Sequence, residues 1–350
     1  MINLLLRLFS LAFILGSGMP VRAQTASPYP RSSLITDVIF HFNEVRTSAR
    51  GSDIWPATWA ADDRLYTAWG DGNGFSGPKK VSWGLACLDD SAGQWAGRDI
   101  FYGPPGVRQG KVSGLLALGD TLYAWKNEQN GKYPLCDIRL IRSTDRGRSW
   151  SGLPVVFGPA GFKPVSFVNF GQGYTGARDH NIYIAGFNSG DTLHRIYLLR
   201  ADRDSLEYPA AYECLSGLDR RRRPSWNRNT ASLYPVFSIQ DTGEANPFPV
   251  IIYNAGLKRY LLTDCHGPAG CIGIFEAPEP WGPWKTVYYS DHWGGLNKGE
   301  YLGFEFPNKW SSHDGKQLRM VFSVYNSDRP DWNDACNTIP VTFTISPAGR

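Results

Sequence analysis

Apolar positions along this chain fall into short runs broken by glycine, proline, asparagine and aspartate, and helix signals are scarce. With 38 Gly, 24 Pro and aromatic-rich runs, the pattern predicts an all-β protein. Five times an apolar run follows a polar turn and ends in Asp or Asn, at Asp71, Asn127, Asn188, Asn254 and Asn326. A further strand follows each time, at 81–87, 137–142, 194–200, 271–275 and 341–345. A strand-turn-strand unit recurring at this interval predicts a β-propeller of four-stranded antiparallel blades, with five blades preferred over a reading with seven shorter ones. The last unit stops after its third strand, while the apolar stretch 34–42 belongs to no unit. The N-terminal strand is therefore expected to close the last blade, leaving no blade edge unpaired.

The start of the chain reads as an export signal over 1–23: Arg7 precedes the apolar run 8–15, and Val21-Arg-Ala23 has cleavage-site spacing. A linker over 24–33 and a single propeller domain over 34–350 complete the expected organisation. The run 8–15 is too short to cross a bilayer and no later segment approaches the required length, so a secreted or periplasmic protein without a membrane span is expected. Losing Arg7 and Arg22 with the signal would leave a near-neutral chain, which argues against nucleic acid as partner. The basic run 220–223 lacks interleaved aromatics and reads as a solvated loop. Of the six cysteines, Cys265 and Cys271 flank a turn-rich loop and are the expected disulfide, worth about 2 to 3 kcal/mol. Neither CxxC nor HExxH spacing occurs, so zinc has no support from motifs, and the absence of GxSxG disfavours a serine hydrolase. No cofactor is expected beyond a structural calcium at the 71–73 loop or on the axis, where few oxygen ligands are visible.

Candidate chemistry begins with Asp53 and Asp71, which stand almost equally far from the turn at 61–64. If the flanks pair as a hairpin, the second carboxylate returns to the level of the first. Paired carboxylates serve glycosidic cleavage, one kept protonated as acid and the other ionised as base or nucleophile. Asp71 also reads as a turn residue of the loop 70–74. Trp55 and Trp69 are nearby aromatics of the kind that face sugar rings. By the same repeat, residues 111–113, 166–169, 232–234 and 303–305 are placed near the axis, which brings in Lys111, Asn169 and Glu305. Asn254 ends the apolar run of the fourth unit, and Arg178, Asp179 and His180 precede a strand of the third. These residues, with Trp55, are the candidate substrate-binding set, and a structural role is open for each. The segment 143–150, STDRGRSW, matches the Asp-box of sialidase-like propellers, and Asp145 is expected to order a turn while Trp150 packs between strands.

The motifs GSDIWPATWA at 51–60, LYTAWGDG at 65–72, NFGQGYTGARD at 169–179, YNAGLKRY at 253–260 and FEAPEPWGPW at 275–284 resemble a family of secreted microbial five-bladed propellers. That family, formerly of unknown function, includes endo-D-arabinanases. The resemblance runs from about residue 50 to 325 and implies a propeller glycosidase with paired aspartates on its first blade, matched here by Asp53 and Asp71. The three-acid layout of the wider arabinanase and xylosidase propellers is not reproduced, since the second unit offers Lys111 and Ser113 in place of an acid. The expected activity is glycoside hydrolysis of an arabinan-like polysaccharide or oligosaccharide. A polysaccharide lyase, with His180 or a tyrosine as base and Arg178 or Lys111 neutralising a uronate, and a non-catalytic glycan-binding propeller are the alternatives.

Overall fold

Five antiparallel sheets arranged around an axis make up a computed structural model that describes residues 26–89, 95–105, 110–128, 136–191, 194–239 and 248–347. The expected signal segment lies outside the described residues. Blade 1 comprises Asp53–Trp59, Leu65–Gly72, Val81–Asp89 and Ala96–Tyr102, and blade 2 comprises Val112–Leu118, Thr121–Asn127, Ile138–Ser143 and Ser151–Phe157. Blade 4 comprises Val250–Asn254, Arg259–Cys265, Ile272–Ala277 and Lys285–Ser290. In blade 5, Glu300–Glu305, Gln317–Tyr325 and Cys336–Ile345 are completed by the N-terminal strand Ile35–Phe40, with Phe40 opposite Val341 and Ile35 opposite Ile345. The five-bladed propeller and its closure by the N-terminal strand are thus as the sequence predicts. The first two strands of blades 1, 2 and 4 are almost wholly buried because a neighbouring blade covers each face. The outermost strands of blades 1 and 2 alternate toward solvent instead.

Blade 3 departs from the repeat. To Phe162–Phe167, Asn181–Asn188, His194–Asp202 and Glu213–Leu218 it adds Pro224–Asn227 and Pro235–Ile239, the latter pairing with the start of the third strand. This insertion puts the sequence reading out of phase in the fourth unit: Val250–Asn254 is the inner strand of its blade, and residues 232–234 lie outside the axis.

Neighbouring inner strands run the same way, as the parallel bridge from Asn169 to Ile252 shows. Each therefore starts on one face of the propeller, here called upper, and ends on the lower. Loops joining second to third strands emerge on the upper face, and loops joining first to second strands on the lower.

The expected Cys265–Cys271 disulfide is absent, and all six cysteines are buried. Cys265 stands opposite Ile272, whereas Cys271 stands opposite His266, whose N–H donates to the Cys271 carbonyl at 3.1 Å. Adjacent positions on a strand project to opposite faces, so the two thiols diverge. The Asp-box behaves as expected: Asp145 accepts from the Ser143 and Ser149 hydroxyls and the Ser149 N–H, which holds its carboxyl down at about 2, and Trp150 packs edge-on to Trp83.

Candidate active site

The opening hairpin pairs Asp53 with Gly70 and Ile54 with Trp69, so Asp71 is offset by one residue from direct opposition. A bulge between Ile54 and Ala57 turns the strand, and Ile54 and Trp55 adopt left-handed φ values of 78° and 71°. Such a conformation is costly for a β-branched residue. Asp71 and Asp334 are left-handed as well, at 45° and 43°. Gly70 is required here because a Cβ would overlap Asp53 Oδ1 and crowd the Lys111 side chain.

Lys111 immediately precedes the inner strand of blade 2, and its Nζ lies 2.8 Å from Asp53 Oδ2 and 3.0 Å from Asp71 Oδ2. One ammonium therefore gathers both carboxylates at the upper mouth of the axis. The side chains are graded in exposure, 10 % for Asp53, 22 % for Asp71 and 25 % for Lys111. Among the described residues, Asp53 Oδ1 is buried without a hydrogen-bond partner. Burial pushes the Asp53 carboxyl above its ordinary value against the opposing pull of Lys111, with Asp71 and Asp334 adding to the rise. Burial acts to lower the Lys111 ammonium, but the two aspartates outweigh it and leave its pKa raised.

Asp334 is a third acid at this mouth that sequence reasoning missed. Its carbonyl accepts from the Gly51 and Ser52 N–H groups, tying the blade 5 loop to the start of blade 1. Burial raises its pKa, Lys111 and Lys80 oppose that, and Asp71 adds to it. Its signal is an aspartate in the turn-rich segment DWNDAC at 331–336, uninformative until ring closure brings the chain ends together.

Glu305 ends the inner strand of blade 5 and accepts from the Ala57 N–H at 2.8 Å. Burial pushes its carboxyl up to about 8, opposed only by that hydrogen bond. It lines, with Ile54, Trp55, Pro56, Ser113, Gly303 and others, a cavity of about 20 Å³, room for about one water.

The other candidates lie elsewhere. Trp55 and Trp69 are both buried, 6.2 Å apart between ring centroids, with Phe75 against Trp55, so neither offers a face to a sugar. Asn169 follows the inner strand of blade 3 and links three blades at the lower end, accepting from Thr58 Oγ1 and donating to the Leu115 carbonyl. Asn254 braces a lower turn, accepting from the Leu257 N–H and donating to the Gly315 carbonyl. Arg178, Asp179 and His180 occupy the loop between the first two strands of blade 3, which is also lower. Arg178 pairs with Glu279, Asp179 accepts from Asn181 N–H and Tyr183 Oη, and exposed His180 meets Asp204 at 3.1 Å. The phase error in placing inner strands, which put 166–169 at a start when it is an end, accounts for Asn169. Nothing in the sequence around Arg178 fixes the face on which its loop lies. For calcium, the 71–73 loop has little to offer: an ammonium occupies Asp71 and the Asn73 amide donates to the Gly77 carbonyl.

No protein-family model matches the sequence, and no curated protein matches it. Among solved structures, the chain is similar to a Bacteroides ovatus ATCC 8483 protein whose assignment as a hydrolase is provisional, with a TM-score of 0.53 at 11 % identity over 85 % of this chain and 87 % of that one. A GH43_1 enzyme from Xanthomonas citri gives 0.48 at 11 % identity over 85 % and 91 %. A family 117 glycoside hydrolase from the marine bacterium Zobellia galactanivorans gives 0.47 at 8 % identity over 89 % and 91 %. At this identity the likeness to the Bacteroides ovatus protein speaks to the fold alone. Among the described residues, no helix is long and apolar enough to cross a membrane.

Proposed function

We propose that the protein is a glycoside hydrolase that cleaves a polysaccharide with the Asp53 and Asp71 carboxylates, on a substrate of the arabinan type that the sequence resemblance implies. The observation that carries the reading is the clasp of both carboxylates by one lysine at the mouth of the axis, beside backbone held in left-handed conformations. Strain of this kind persists where the surrounding structure enforces it, and it clusters at functional sites. Asp53, the more buried and with a raised pKa, suits the proton donor; Asp71, more open to solvent, suits the ionised partner. Lys111 keeps the two from repelling each other apart before substrate arrives. Against the lyase alternative, Arg178 and His180 are on the lower face and the Lys111 ammonium is engaged by two carboxylates, which leaves that reading only a tyrosine as base.

The separation of the pair bears on stereochemistry. The two lysine-bound oxygens are no farther apart than contacts of 2.8 and 3.0 Å laid end to end. That falls nearer the roughly 5 to 5.5 Å of retaining pairs than the roughly 6.5 to 9.5 Å that admits a water in inverting ones. The first sugar released should keep its anomeric configuration, read by proton NMR before mutarotation; an inverted first product would contradict the retaining assignment.

Lys111→Met removes the positive charge that opposes the rise of the Asp53 carboxyl, so the pKa of Asp53 should climb further above its ordinary value. The limb of the kcat/KM profile that Asp53 controls should move to higher pH, together with a fall in kcat. An unmoved limb would separate Lys111 from the Asp53 proton. The function itself is tested by screening purified protein on plant, algal and mycobacterial polysaccharides for new reducing ends.

A further inference from the structure

A second polar cluster occupies the upper end of blade 4. Asp264 and His266 are two residues apart and so project to the same face of the sheet, and Cys271 is opposite His266 across the hairpin. Asp291 follows Ser290, which pairs with Ile272, and so arrives beside Cys271 from the next strand. From blade 3, His194 reaches across to this face. All five side chains are buried. Potential ligand atoms of His266, Cys271 and Asp291 all lie within 4.8 Å of one another. His266 Nε2 is 3.0 Å from Asp291 Oδ1, and the His266 ring is stacked on Tyr289 at 4.0 Å, which fixes its plane.

Two features are unexplained by a purely hydrogen-bonded core. Among the described residues, His266 Nδ1 is buried without a hydrogen-bond partner and neither oxygen of Asp264 accepts a hydrogen bond, although His194 Nε2 lies 2.9 Å from Oδ2. That contact has the distance of an ion pair without the directionality of a hydrogen bond. Two carboxylates brought into a protein interior are costly unless they are paired and fully hydrogen-bonded or coordinate a metal. A thiol, an imidazole and a carboxylate converging on one point form the mixed donor set that suits a tetrahedral zinc-class ion.

We propose that His266, Cys271 and Asp291 bind a divalent ion of the zinc class, with Asp264 on the same sheet face as the fourth group and His194 supporting Asp264 from blade 3. Bond lengths of about 2.0 to 2.3 Å place the donors of a tetrahedral ion roughly 3 to 4 Å apart, so the present spacing closes with small side-chain movements. Binding converts the Cys271 thiol to a thiolate and releases its proton to solvent. The ion would pin the loop after the second strand of blade 4 to the end of the fourth, and would draw blade 3 against blade 4. Spacing motifs in the sequence could not reveal such a site, because its ligands come from three strands.

The test uses the full mature chain, freed of metal and titrated with zinc or cobalt(II). One equivalent should bind, the cobalt form should show a thiolate charge-transfer band in the near ultraviolet, and a chelator should lower the melting temperature. Cys271→Ser should abolish the band and weaken binding at least tenfold, while His180→Ala, in the exposed group with Asp202 and Asp204, should change neither. A folded wild type that takes up no metal, or takes it up without a thiolate band, would overturn the proposal without reference to any variant. Undiminished uptake by Cys271→Ser, or lost uptake by His180→Ala, would overturn it too by placing the ion elsewhere.

Discussion

Asp53→Asn and Asp71→Asn should each lower kcat by about 10² to 10⁴, with little change in melting temperature. Asparagine keeps the size of the side chain and an oxygen for Lys111, so the geometry of the clasp survives while the charge and the titrating proton are lost. The two substitutions should differ in detail. Replacing Asp53, the buried group, removes a proton donor and should spare substrates whose leaving group needs no protonation. Replacing Asp71 removes the ionised partner and should slow activated and natural substrates alike. His180→Ala, on the lower face, should leave kcat/KM unchanged. Steady-state kinetics on the best substrate of the screen read all three, and full activity in either aspartate variant would remove the pair as catalysts.

Glu305→Gln should stabilise the protein at alkaline pH and change the pH dependence of its stability. The Glu305 carboxyl is fully buried and is pushed from an ordinary 4.5 up to about 8. Between those values the folded chain keeps a proton that the unfolded chain has lost. Stability therefore falls as pH rises through that window, by an amount on the order of 4 kcal/mol for so large a displacement. Glutamine keeps the acceptor for the Ala57 N–H and has nothing to ionise. Comparing urea denaturation of the two proteins at pH 5 and pH 8 isolates this group, since the remaining titrations are common to both. The variant should gain several kcal/mol relative to wild type on going from pH 5 to pH 8. Parallel behaviour of the two proteins would mean that water entering the small cavity hydrates the carboxylate at little cost.

The architecture was legible because a propeller repeats one local event, an apolar run stopped by an aspartate or asparagine, and because an unassigned N-terminal strand met a blade lacking its fourth. The phase slipped where blade 3 carries two additional strands, since a period read from strand ends cannot tell an inserted strand from the first of a new blade. Asn254 was consequently placed on the wrong strand. Asp53 and Asp71 were legible as neighbours because one hairpin makes them so. Lys111 was placed near the axis by the repeat, but its bridging of both carboxylates depends on how blade 2 is set against blade 1. Asp334 depends on ring closure between the two ends of the chain, for which no local pattern exists. Trp55 was misread because composition does not distinguish an aromatic that faces a ligand from one that fills the gap between strands.

The most direct test of the carboxylate-pair account is a time course of bond cleavage by wild type and Asp71→Asn on a panel of arabinans and uronate-containing glycans, following reducing ends and ultraviolet absorbance together. Wild type should release reducing ends from an arabinan with no rise in absorbance, and the variant should release almost none. Absorbance rising in step with the new ends, or equal release by the two proteins, would contradict the carboxylate-pair account.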